Sequence, residues 1–136
     1  MNKQSNTYTI VYASVMVILV AAVLAVTSLS LKEKQTRNVE IDKMKQILSS
    51  VHIAATADDA QSLYKKYIVD SYVLGADGKP VDGADAFGVD VAVQVKLPAA
   101  ERRLPVYVCR LDNGAQKYIV PLYGAGLWGP IWGYLA

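Results

Sequence analysis

Four glycines and two tryptophans fall within the ten residues from Gly124 to Gly133. Glycine lets a backbone come close to another group, and indoles set flat apolar faces beside it. The combination suits a flat aromatic ligand. Composition alone favours a plainer reading, a glycine-kinked strand whose indoles fill a core. No catalytic constellation stands elsewhere. His52 closes an amphipathic stretch with no acidic or nucleophilic partner near it in sequence, and reads as a helix-end or surface histidine. Cys109, beside Val106 and Val108, reads as a small core side chain. Asp58, Asp59, Asp77, Asp82 and Asp85 read as cap and turn formers, because their spacing is not that of a calcium loop. One cysteine and one histidine exclude an internal disulfide and any metal site built on several such ligands. No metal is therefore expected.

The elements that must carry these residues divide sharply. All nine glycines and five prolines follow Leu74, so the first half can be helical and the second reads as strands and turns. Tyr8 to Leu31 is a run of 24 uncharged residues, 19 of them apolar. As a helix it rises about 36 Å, enough for a hydrocarbon core of about 30 Å. A cleavable signal peptide is the competing reading, with Ser28-Leu29-Ser30 as a weak cleavage site, but its apolar core usually runs about 7–15 residues. The remaining 105 residues, Lys32 to Ala136, suffice for one small domain. Basic and acidic side chains, 14 and 12, are interspersed, which argues against nucleic acid.

Ile41, Met44, Leu48 and Val51 share one face of a polar helix that continues from the apolar block. Asp58 and Gln61 suggest a capping box opening a short helix, with Leu63, Tyr64 and Tyr67 inward. Ile68–Leu74 is predicted as a strand and Gly75–Pro80 as a turn. Val89 to Leu97 alternates and is predicted as the clearest strand. A hairpin follows, Leu104–Leu111 and Lys117–Leu122 about Asp112-Asn113-Gly114, with Pro105 and Pro121 near strand ends. The last segment reads as a strand with no closing turn, and the chain is expected to be a fragment.

Pro121-Leu122-Tyr123-Gly124-Ala125-Gly126-Leu127-Trp128, followed by a short apolar run, resembles the G-x-G-L-W segment of the C subunit of the Na+-translocating NADH:quinone reductase. Asn38 to Leu48 resembles the helix just after that family's anchor, and the order of elements is similar along essentially the whole chain. The resemblance implies an α+β fold: a transmembrane helix running into a polar helix, then a strand-rich, mostly antiparallel FMN-binding-type domain, incomplete at its C-terminus. The expected divisions are a cytoplasmic tail (1–7), an anchor (8–31), an amphipathic helix and linker (32–57) and the first part of an extracytoplasmic domain (58–136). It also implies an electron-relay subunit of an oxidoreductase and translocase that couples NADH oxidation and quinone reduction to sodium export. Its partners are the other subunits of that complex and the lipid bilayer.

In that family FMN is attached through its phosphate to a threonine of an S-G-A-T motif downstream of G-x-G-L-W. This chain has no such motif and no threonine after Thr56. No covalent attachment site and no complete active site are therefore expected within it. Only Gly124, Gly126, Leu127 and Trp128 carry over as cofactor-side positions. Lys3 precedes the apolar block while Lys32, Lys34 and Arg37 follow it, so the positive-inside rule places the domain in the cytoplasm. The resemblance places it in the periplasm, on the bacterial inner membrane, and that expectation is adopted. Three rival readings remain. One is the G subunit of an Rnf-type electron-transport complex, and another a small ligand-binding domain with no redox role. The third is a non-enzymatic envelope or filament protein, although the glycine and glutamate hallmarks of pilin-like chains are missing from the apolar block.

Overall fold

The computed structural model describes residues 5–136; Lys3, which entered the charge comparison, and most of the expected tail lie outside them. With no glycine or proline to interrupt it, the first helix, α1, runs from Asn6 to Ser50. It is followed by α2 (Ala60–Tyr67), β1 (Ile68–Leu74), α3 (Val91–Gln94), a 3-10 turn (Ala99–Glu101), β2 (Leu104–Arg110), β3 (Gln116–Ala125) and β4 (Pro130–Leu135). The fold is α+β with one open antiparallel sheet in the order β1-β2-β3-β4. The chain forms two compact units, one ending at Glu40 and one of Ile41–Ala136.

In the first unit α1 is long and apolar enough to cross a membrane, and none of that apolar window is buried by protein. Some of its hydroxyls turn back on the helix: Thr27 Oγ1 donates to the Val23 carbonyl (2.8 Å) and Ser30 Oγ to that of Val26 (3.0 Å). Such back-bonding is how a hydroxyl is satisfied where no water reaches it. Tyr8 and Tyr12, four residues apart, stack at 6.3 Å.

In the second unit the last turns of α1 bury Ile47, Leu48 and, just beyond, Val51. The helix stops in a hydrogen-bonded cap: the Ile53 N–H donates to the Leu48 carbonyl and the His52 N–H to that of Ser49. His52 takes the left-handed conformation (φ 62°) usually given to glycine here, and Ile53 folds back against the core. That core joins Ile47 and Val51 to Val73, Ala86, Tyr107, Cys109 and Ile119. β1 has the predicted limits, and the turn after it closes on a Leu74–Pro80 bridge. The short helix starts after Asp59, not Asp58. The Asp59 carboxylate accepts from the Thr56 N–H (2.6 Å) instead of capping the helix.

The alternating segment 89–97 is not a strand. The Asp90 carboxylate accepts from the Ala92 N–H (3.0 Å) and caps the helical turn of α3. The carbonyls that a ladder would use are taken by Arg102, whose guanidinium donates to Val95 (3.0 Å) and Leu97 (2.9 Å). A strong local cap outweighs the alternation, and with these carbonyls engaged the segment joins no strand of the sheet.

β3 serves two neighbours in turn. Gln116–Ile119 pairs with β2, and Val120–Ala125 pairs with β4. The β2–β3 ladder stops at Tyr107–Ile119. Two residues further along each arm stands a proline, Pro105 or Pro121, with no N–H to continue it. The sheet therefore forks. An open cleft of about 400 Å³ lies in the crotch, lined by Pro105, Val106, Val120 and Pro121 together with Leu74 and Arg102.

Candidate functional site

The glycine- and tryptophan-rich segment forms the β3–β4 hairpin. Its register pairs Tyr123 with Trp132, Gly124 with Ile131 and Ala125 with Pro130, and the Gly126 N–H donates to the Gly129 carbonyl (2.8 Å) below the tip. Gly126 is sterically obligatory. A methyl group there would lie 2.6 Å from the Ile131 side chain and 2.8 Å from the Gly129 carbonyl oxygen. Gly129 sits at φ 151°, which also favours glycine.

Opposed residues of an antiparallel pair point to the same face. Tyr107 opposite Ile119 marks the core face, which Pro121, Tyr123, Trp132 and Tyr134 share. Val120, Leu122, Gly124, Ile131, Gly133 and Leu135 share the other. There Gly124 and Gly133 lie diagonally between Leu122 and Ile131, and nothing stands within 4 Å of where their side chains would be. The result is a shelf with a bare backbone floor and an apolar rim.

The indoles do not fill the core. Trp128 is 97% and Leu127 90% exposed at the hairpin tip, and Trp132 is 62% exposed. Gly124, Gly126, Leu127 and Trp128 therefore lie together on one hairpin, as a projecting wall with no opposing wall. The residues present do not make a complete flavin site: they offer flat apolar surface, while all threonines lie at or before Thr56 and none is near the hairpin in sequence.

Behind the hairpin is a group of half-buried phenols. Tyr134 meets Tyr107 edge-to-face at 6.2 Å, and Tyr64 meets Phe87 at 5.7 Å. The Tyr107 hydroxyl donates to the Ala86 carbonyl (3.0 Å). Burial, with smaller contributions from Tyr134 and Asp85, pushes Tyr64 up to about 12. Burial alone raises Tyr134 to about 12, and Tyr107 is driven up by burial first and then by Tyr134, Tyr64 and Asp85. Lys43 lies over the Phe87 ring (4.6 Å) and donates to the Phe87 carbonyl. Burial lowers its pKa, against Asp85 and Asp90, which raise it.

Cys109 is fully buried, and burial pushes its thiol up despite Lys117, so it is a core side chain and no nucleophile. His52 is an exposed helix-end residue. Among the described residues no three His, Cys, Asp or Glu side chains converge on a metal site. The fork cleft escaped the sequence reading. Its signal was there in Pro105 and Pro121, which the hairpin register sets opposite each other.

A small α+β module with an open antiparallel sheet and an exposed glycine–tryptophan hairpin, joined to a helix of membrane-spanning length, is the class of protein these features define. No protein-family model matches the chain. Its relatives are specific: by sequence and by fold the chain is similar to the C subunit of the Na(+)-translocating NADH-quinone reductase. The subunit so named in Pseudomonas aeruginosa is 26% identical over 99% of this chain and 59% of its own length. That of Vibrio parahaemolyticus is 26% identical over 84% of this chain and 51% of its own length. The crystal structure of the subunit from Parabacteroides distasonis superposes with a TM-score of 0.68 and 38% identity, over 76% of this chain and 49% of that one. The chain thus spans about half the length of the relatives it matches.

Proposed function

We propose that this chain provides the membrane-anchored part of the C subunit in a sodium-translocating NADH:quinone reductase of the bacterial inner membrane. The reading is supported chiefly by the similarity to that subunit along 99% of the chain, reinforced by a matching fold. Residues 8–31 act as a single-pass anchor, 32–57 as the amphipathic helix and linker, and 58–136 as the first part of a periplasmic domain. In the whole subunit an FMN relays electrons between NADH and quinone chemistry, and the flavin supplies the redox step. Gly124, Gly126, Leu127 and Trp128 contribute one apolar wall near it, on the exposed side of the hairpin. The covalent attachment of that flavin belongs outside this chain.

The test is co-retention of activity. The full chain carries an affinity tag in its source bacterium, membranes are solubilised in mild detergent, and NADH:quinone reductase activity is followed over the affinity column. Sodium-stimulated activity leaving the flow-through with the tagged chain is the expected result. Activity left wholly in the flow-through, or subunits of an Rnf-type complex on the column, contradicts the proposal.

A further inference from the structure

The cations at the end of the apolar block are a charged group that neither the core nor the hairpin uses. Lys32, Lys34 and Arg37 follow Leu31 on the unbroken α1 helix, and each is exposed. Among the described residues the one ion pair joins Lys66 to Asp112, so no carboxylate of those residues pairs with the three. Thr36, between Lys34 and Arg37, turns its hydroxyl onto the Lys32 carbonyl (3.0 Å) and not toward them. At about 1.5 Å per residue, Lys32 and Lys34 lie within about 5 Å of the end of the apolar block, and Arg37 about 9 Å beyond it. The headgroup layer is about 5–7 Å thick on each side of a bilayer, and a long basic side chain reaches back along the helix to it. Glu33 shares that depth, whereas Glu40 stands about 13 Å out.

The arrangement around the helix says which partner fits. At about 100° per residue, Arg37 lies about 140° and Lys34 about 200° round from Lys32, so the cations surround the helix. A protein surface or a single soluble anion would meet one face. Lipid touches a span on every side, and none of the apolar window before Lys32 is covered by protein. We propose that Lys32, Lys34 and Arg37 form a collar that binds the headgroup phosphates of anionic phospholipids bordering α1. The ammonium and guanidinium groups donate to phosphate oxygens while their apolar stems lie along the acyl boundary. In the periplasmic orientation these cations stand on the side that the positive-inside rule disfavours, and anionic headgroups hold them there. The inference rests on residues 8–31 acting as an anchor and is independent of flavin, sodium or quinone.

The test purifies the full chain in mild detergent with equal amounts of phosphatidylglycerol and phosphatidylcholine and counts retained lipids by native mass spectrometry. Phosphatidylglycerol should be retained about tenfold over phosphatidylcholine, as befits two to three cations at a membrane surface. The triple variant Lys32→Gln/Lys34→Gln/Arg37→Gln should bring the two lipids to parity. Lys65→Gln/Lys96→Gln/Arg103→Gln removes the same charge from exposed positions off the anchor and should keep the parent's preference. Inorganic phosphate should displace no more phosphatidylglycerol than sodium chloride of equal ionic strength. Equal retention of the two lipids by the parent overturns the collar, as does an unchanged preference in the first variant. An equal loss in the second variant, or selective displacement by free phosphate, overturns it too. Carbonate extraction of membranes separates this failure from that of the anchor. A chain that resists carbonate without preferring phosphatidylglycerol loses the collar alone, and one that carbonate extracts loses both.

Discussion

Gly126 holds the hairpin closed because its neighbours leave no volume for a side chain. Gly126→Ala should cost about 1–3 kcal/mol of local stability, as other forced overpacking does. It should show as faster amide exchange in Val120–Ala125 and β4. Gly124→Ala, where space is open, serves as the comparison and should leave exchange unchanged. Exchange unchanged in Gly126→Ala would mean the tip is built differently.

The phenols give a pH prediction at the same scale. Tyr64 and Tyr134 are raised from the ordinary value of 10.0 to about 12, and Tyr107 moves the same way. A group raised on folding stabilises fully below its unfolded value, and that contribution fades as pH climbs through the folded one. Stability should therefore fall between about pH 10 and 12, with tyrosinate absorbance near 295 nm appearing together with loss of the circular dichroism signal. Full titration of all tyrosines near pH 10 with the fold intact would contradict the burial of these three.

At the scale of elements, the end of α1 belongs to the folded unit. Ile47→Ala, at a fully buried position, should cost about 2–5 kcal/mol in thermal or denaturant melts, whereas Val39→Ala, 66% exposed, should cost almost nothing. Equal melts for the two would separate the helix from the core. Much of this architecture is legible in the residues. The β1 strand, its glycine–proline turn and the β2–β3 hairpin follow from Val, Ile and Tyr runs bounded by turn chemistry, and the stripe to Val51 follows from helical spacing. The segment 89–97 misleads because alternation records only the order of side chains. It cannot register the Asp90 cap or the Arg102 bonds that consume the carbonyls. The hairpin's composition is equally legible, but its exposure is not, since burial of an indole depends on what lies opposite it. The four positions that the resemblance singles out, Gly124, Gly126, Leu127 and Trp128, fall on one hairpin, but its openness and the fork cleft are visible only in the structure.

At the scale of the whole molecule, the apolar block has no protein cover, and the bilayer is the medium that suits it. Val20→Arg places a charge near its middle, at a cost of about 2.5–3.5 kcal/mol on insertion scales. The carbonate-resistant membrane fraction of the full chain should drop, while Val39→Arg, in the polar part of α1, should not change it. Retention unaltered by Val20→Arg would point to an attachment other than this helix.

The kinship with the reductase's C subunit, the bare hairpin and the proposed place in that complex meet at Trp128. The most direct measurement puts a photo-crosslinking phenylalanine analogue there in the full chain, irradiates intact cells of the source bacterium, and identifies the adducts by mass spectrometry. The expected adduct is another polypeptide of the sodium-translocating reductase. Adducts confined to lipid, or to proteins foreign to that complex, would contradict this placement.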